Sequence, residues 1–218
     1  MKKPSNSPSK NAIGGAKTPG KKPARVPVHK GPSGEIRLIG GHWKRIKLKV
    51  ADRPGLRPTP DRVRETLFNW LGQDLTGWRV LDAFAGSGAL GFEAASRGAA
   101  EVQLLERDGV LVDSLLAVKF RLAAAAISVL RVDALSWMPR APADRFELVF
   151  IDPPFDGGLA PAAAVAAGRL VVPGGYLYVE SDVPLAAPPA GHTLFRQFKA
   201  GAVHAQLWQR DRGDDVVE

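Results

Sequence analysis

The stretch Val80-Leu81-Asp82-Ala83-Phe84-Ala85-Gly86-Ser87-Gly88-Ala89-Leu90-Gly91 decides how this chain folds. It opens on an apolar run, turns on two glycines and continues into small and apolar residues, which reads as strand, turn and helix. Gly86 and Gly88 let the backbone bend sharply and lie against a ligand that a Cβ would push away. Gly86, Gly88 and Gly91 also satisfy the G-x-G-x-x-G spacing, with Glu106 twenty residues beyond Gly86. That spacing is the fingerprint of dinucleotide binding, so a nicotinamide oxidoreductase is one reading. Asp82 argues against it, because a carboxylate at the strand end would repel a pyrophosphate. The same carboxylate suits the ammonium group of a bound amino acid, such as the methionine part of S-adenosylmethionine. Glu106 can accept hydrogen bonds from both ribose hydroxyls in either reading.

Outward from this stretch the pattern of strand, turn and helix repeats. Strands are predicted at Arg79–Ala83, Val102–Glu106, 128–132, 146–151 and 175–180, with helices at 89–97, about 109–125 and about 159–170. Strands alternating with helices imply a parallel sheet covered on both faces. The end differs: Thr193–Phe198 and Val203–Gln209 read as a hairpin that puts an antiparallel strand into that sheet. Upstream, Ile36–Ile39 and Trp43–Val50 read as a second, smaller hairpin, too small to stand alone. The loop Asp52–Pro58 follows, and Thr59 is then predicted to cap a helix over 60–71, with Pro60 in its first position and Val63, Leu67, Trp70 and Leu71 on its apolar face. The expected division is a disordered basic tail over 1–34, an RNA-binding hairpin and loop over 35–58, the main domain over 59–210 and a short tail over 211–218.

Charge is unevenly spread along the chain. The net charge is +8, yet residues 1–34 carry eight basic and no acidic groups, 35–70 nine and four, and 71–218 thirteen and eighteen. A basic front on an acidic body suggests a polyanion gripped by the front. There is no cysteine, which excludes disulfides and thiolate chemistry, and the four histidines form no close-spaced pair, so no metal is expected. No run is long and apolar enough to suggest a membrane span. A cytoplasmic enzyme is the expectation.

The second chemical motif is Phe150-Ile151-Asp152-Pro153-Pro154-Phe155, an apolar strand ending where such strands line a ligand crevice. An exocyclic base amine is a poor nucleophile because its lone pair is delocalised into the ring. The Asp152 carboxylate and the Pro153 carbonyl could both accept hydrogen bonds from that amine, favouring a pyramidal nitrogen aimed at a methyl sulfonium. The prolines fix φ and hold the carbonyl, and Phe155 offers a face for stacking an extruded base. Asp133 could accept from an adenine amine, or cap the short helix over 134–138. Of the five tryptophans, which read mainly as core or rim packing, Trp43 is the candidate stacking platform.

Three further segments carry a family likeness: Ile36-Arg37-Leu38-Ile39-Gly40-Gly41, Gly55-Leu56-Arg57-Pro58-Thr59, and Asp61-Arg62-Val63-Arg64-Glu65-Thr66-Leu67-Phe68-Asn69. Together with Asp82–Gly88, Ser96–Ala99, Glu106 and Asp152–Phe155 they resemble the RsmD family, bacterial methyltransferases acting on guanine N2 in small-subunit (16S) ribosomal RNA. The resemblance spans roughly residues 35–210. It implies a class I, Rossmann-like α/β fold with a small N-terminal β-hairpin extension. It implies S-adenosyl-L-methionine held by Asp82, Phe84, Gly86, Ser87, Gly88, Glu106, Arg107, Asp133 and Ala134, and catalysis at Asp152, Pro153, Pro154 and Phe155. RNA contacts are expected at Arg37, Lys44, Arg45, Arg57, Thr59, Arg62 and Arg64. The implied partner is an assembled or partly assembled 30S particle, met by a monomer. Guanine comes from the resemblance alone, since Asp-Pro-Pro-aromatic motifs also serve adenine N6 methylation of DNA or RNA. A non-catalytic RNA-binding assembly factor is the other alternative, against which an intact Asp152–Phe155 argues.

Overall fold

The computed structural model describes residues 1, 34–51, 53, 59–155 and 158–213. At its centre is a seven-stranded sheet built from β3 (Arg79–Asp82), β4 (Glu101–Glu106), β5 (Ile127–Arg131), β6 (Phe146–Ile151), β7 (Val171–Ser181), β8 (His192–Ala200) and β9 (Val203–Arg210). The order is β5-β4-β3-β6-β7-β9-β8. The first five run parallel, and β9 inserts antiparallel between β7 and β8. This is the class I methyltransferase topology, with the C-terminal hairpin at the sheet edge as expected.

Helices cover both faces, which is why the central strands are nearly all apolar. On one face α2 (Ala89–Ser96) and α3 (Gly109–Arg121) share a core with α1 (Asp61–Trp70), made of Leu67, Phe68, Phe92, Leu104, Leu115 and Phe150 among others. On the other, α4 (Ala134–Trp137) and α5 (Ala160–Gly168) bury Ala163, Ala167, Val149, Leu177 and Trp208. Val80 faces the first core and Leu81 the second, the period-two alternation of a strand buried on both sides.

The N-terminal hairpin is shorter than its sequence suggests. β1 (Glu35–Arg37) pairs with β2 (Lys47–Lys49), and the connection bends at Gly41 and at Arg45, which adopts φ 71°. Trp43–Ile46 is not strand because its backbone is drawn to α2: His42 N donates to Ser96 O at 2.6 Å and Trp43 N to Ser96 Oγ at 2.9 Å. Ile36, Leu38 and Leu48 are buried in the first core, so the hairpin rests on the main domain. The helix predicted over 109–125 stops at Arg121, since Ala123 turns left-handed at φ 48°. Strand β7 begins earlier than predicted, because Val171 pairs with Phe146 ahead of an irregularity that delays the next pairing to Leu148 and Tyr176. Among the described residues no helix is long and apolar enough to cross a membrane. The expected tail over 1–34 falls almost wholly outside the described residues, as do residues 214–218 and most of the loop Asp52–Pro58.

Candidate active site

Parallel register brings the carboxyl ends of four strands to one edge. Asp82 ends β3 opposite Leu104 and Phe150, Glu106 ends β4, and Ile151 pairs with Val179. Asp152 and Glu180 therefore come next to each other, one step beyond that pair. In open α/β sheets this edge is where ligands bind.

Asp82 is buried at 1% exposure. Its Oδ2 accepts from Gly91 N at 3.0 Å, while Oδ1 has no hydrogen-bond partner among the described residues. Burial, and then the charges of Asp152 and Glu106, push its carboxyl up to about 7 against the hydrogen bond from Gly91 and the nearby backbone N–H of Phe84. A buried carboxylate with a free oxygen wants a cationic or donor partner. The glycine turn beside it is left-handed at Gly86 (φ 51°) and Gly88 (φ 79°), and a Cβ on Gly88 would come within 2.6 Å of Phe92 and 2.7 Å of Leu115. Phe84, Gly86 and Ser87 keep partial exposure in an otherwise buried stretch.

Glu106 clamps this turn: Oε2 accepts from Gly86 N at 2.9 Å and Oε1 from Asp108 N at 2.8 Å. Each oxygen retains a lone pair. Arg107 is exposed beside it. Asp133 caps α4, its Oδ1 accepting from Ser136 N at 2.8 Å, and is exposed, while Ala134 is buried. The capping reading of Asp133 is thus realised, with Oδ2 left over.

Asp152 is partly accessible, Pro153 buried, Pro154 exposed and Phe155 partly exposed. Burial pushes the Asp152 carboxyl up to about 6, opposed by a hydrogen bond from Thr59, whose Oγ1 lies 3.0 Å from Oδ2. Glu180, not anticipated from sequence, is 2% exposed and accepts from the buried Tyr178 hydroxyl at 2.8 Å. Its burial and the Asp152 charge drive its carboxyl well above the usual range. The available signal is an acid ending an apolar strand, as in Asp82 and Asp152.

The expected RNA contacts divide. Arg37, Lys44, Arg45 and Arg62 are exposed, on the hairpin and the outer side of α1. Arg57 lies outside the described residues. Arg64 is a correction: its side chain is fully buried, pairing with Glu93 and with Asp61 and donating to the carbonyls of Arg37 and Thr59, so it has no surface to offer a phosphate. Thr59 is another, for it is buried at 6% exposure and faces Asp152. It does not cap α1 either: Pro60 occupies that position with no side-chain cap, because the threonine hydroxyl is already engaged. Trp43 packs against Phe92 with ring centroids 6.5 Å apart. Among the described residues no group of three or more His, Asp or Glu side chains is disposed to hold a metal.

Known proteins resemble this chain along most of its length. The family described as Conserved hypothetical protein 95 matches residues 36–209. Ribosomal RNA small subunit methyltransferase D of Escherichia coli is 44% identical over 195 residues, which are 86% of this chain and 96% of that protein. Its namesake from Haemophilus influenzae is 39% identical over 184 residues, 81% and 94% of the two chains. A solved Escherichia coli structure described as a methyltransferase superposes with a TM-score of 0.73 at 42% identity, covering 82% of this chain and 99% of its own.

Proposed function

Because the chain belongs to the RsmD family, we propose that it transfers a methyl group from S-adenosyl-L-methionine to the exocyclic N2 amine of a guanine in small-subunit ribosomal RNA. The observation that carries the proposal is the partly accessible Asp152, just past the end of β6, whose charge acts on the buried Asp82 at the end of β3. Within this reading the cofactor supplies an activated methyl group on a sulfonium, and the protein supplies alignment.

The residues present fit that cofactor. Asp82 Oδ1 would take the ammonium that its burial calls for, and the partly exposed backbone at Gly86 would lie against the ligand, Gly88 being held to glycine by its packing on Phe92 and Leu115. The lone pairs remaining on Glu106 would accept from the ribose hydroxyls. Asp133 Oδ2 and the backbone at Ala134 would border the adenine, with Phe84, Ser87 and Arg107 along the rim. Asp152 would accept a hydrogen bond from the target amine, and the Pro153 carbonyl a second. Those contacts strengthen as the nitrogen gains positive charge, so they lower the barrier more than they tighten binding. Phe155 would stack on the extruded guanine. Arg37, Lys44, Arg45 and Arg62 would neutralise phosphates of a partly assembled 30S particle, in the cytoplasm, with the protein acting as a monomer.

The test is transfer of labelled methyl from S-adenosylmethionine to small subunits, naked 16S RNA and DNA, followed by nucleoside analysis. N2-methylguanine from the RNA arms supports the proposal. N6-methyladenine, or no transfer from any arm, overturns it.

A further inference from the structure

We propose that Thr59 is a positioning residue for Asp152, fixing one carboxylate oxygen so that the other is presented to the base amine. The inference rests on the catalytic reading of Asp152 given above. The hydroxyl of Thr59 donates to Asp152 Oδ2 at 3.0 Å. It forgoes the role its sequence position offers, since no side chain caps α1. A carboxylate otherwise rotates broadly about its terminal torsion, and a single donor on Oδ2 selects one orientation.

Thr59 is itself held. Its carbonyl accepts from Arg64 Nε at 3.4 Å, and the same buried guanidinium donates to Arg37 O at 3.0 Å and pairs with Glu93. The N-terminal unit thus reaches the catalytic carboxylate through one hydroxyl. Asp82 at the end of β3 and Glu180 on β7 are the titratable groups facing Asp152, both with raised carboxyls. The Thr59 hydroxyl also reaches Glu180, whose other partner is the Tyr178 hydroxyl. Arg64 of α1 acts on Glu180 and hydrogen-bonds elsewhere. Thr59 favours the ionised form of Asp152 against its burial.

The variants are Thr59→Val, which removes the donor at nearly equal volume, and Thr59→Ser, which keeps it. Single-turnover methylation of small subunits is measured against pH, scaled to the folded fraction. Thr59→Val is expected to slow the step roughly tenfold to a hundredfold, as for loss of one hydrogen bond to a charged group. KM for RNA should change little, and the acid limb of the profile should move up by about one pH unit. Thr59→Ser should restore both. An unchanged limb, or a loss confined to KM, overturns the inference. Carbon-13 titration of the Asp carboxyls in the free protein, with Asp152 assigned through Asp152→Asn, gives a readout independent of activity. Asp152 should titrate higher in Thr59→Val, and an unshifted titration refutes the positioning role. If the wild-type protein methylates nothing, the functional reading fails while this titration still decides the question of Thr59.

Discussion

Arg64 and Glu93 form an ion pair wholly out of solvent, with Nη1 3.4 Å from Oε2. The Glu93 carboxylate also accepts from Ile39 N and Gly40 N at 2.8 Å each, and Arg97 Nη2 lies 2.8 Å from Oε1. One side chain on α2 therefore anchors the hairpin, α1 and the end of its own helix. Removing one partner from such a pair strands the other charge, a loss of about 3–5 kcal/mol. Glu93→Ala should lower the midpoint of urea unfolding accordingly, with the slope unchanged. A midpoint within error of wild type would show that the hub is dispensable.

The buried carboxyls make stability depend on pH. Asp82 and Asp152 titrate at about 7 and about 6 in the folded chain, against an ordinary 3.8. Between about pH 4 and 7 the folded state keeps protons that the unfolded chain has released, so the ligand-free protein loses stability as pH rises through that window. An ammonium placed beside Asp82 removes part of the penalty. The rise in Tm on adding S-adenosylmethionine should accordingly be larger at pH 8 than at pH 5.5. Equal shifts at both pH values in calorimetry would move the ammonium away from Asp82.

Glu106→Ala removes the acceptor proposed for the ribose and also releases the N–H of Gly86. Each hydrogen bond to a charged group contributes about 1.5–3 kcal/mol, so affinity for S-adenosylmethionine should fall by at least tenfold while the protein stays folded. Titration calorimetry on the variant decides it, and unchanged affinity would relocate the ribose.

Neutralising the exposed Arg37, Lys44, Arg45 and Arg62 together should weaken RNA binding and leave cofactor binding intact. Every phosphate that is no longer neutralised flattens the slope of log K against log salt by about 0.7–0.9. Binding assays from 50 to 200 mM salt test this; a slope identical to wild type would put the RNA surface elsewhere.

Asp152→Ala should lower kcat by roughly 10²–10³, the scale for losing one preorganised polar group, with RNA and cofactor affinities little changed. Asp152→Asn should be milder, because its amide oxygen still accepts from the amine. Wild-type turnover per folded molecule in the Ala variant would end the proposed role of Asp152.

The sheet, its helices and the glycine turn are legible in the sequence because each rests on local signals: apolar strands, glycines at the bends and an acid at the strand end. The arginines are harder to read. Arg64 sits three, four and seven residues before Leu67, Phe68 and Leu71, on the apolar face of α1, a spacing that marks burial. Counting charge alone puts it on the surface. Its partner Glu93 lies within a helix that is almost wholly buried, and only tertiary structure shows the two meeting. Thr59 misleads for a similar reason, since helix capping is a local preference and the hydroxyl answers a group 93 positions away. Glu180 becomes visible only once the pairing of β6 and β7 is known.

Helix α2 touches both halves of the proposed reaction. Its first end springs from the turn at Gly88, and its last residue, Ser96, holds the hairpin through His42, Trp43 and Gly40. Eight helical residues span about 12 Å at 1.5 Å each. The helix is thus a ruler between the place proposed for the methyl donor and the surface proposed to grip RNA. Inserting one residue would lengthen it by about 1.5 Å and swing its far end by about 100°, so its length is set by geometry shared between two ligands.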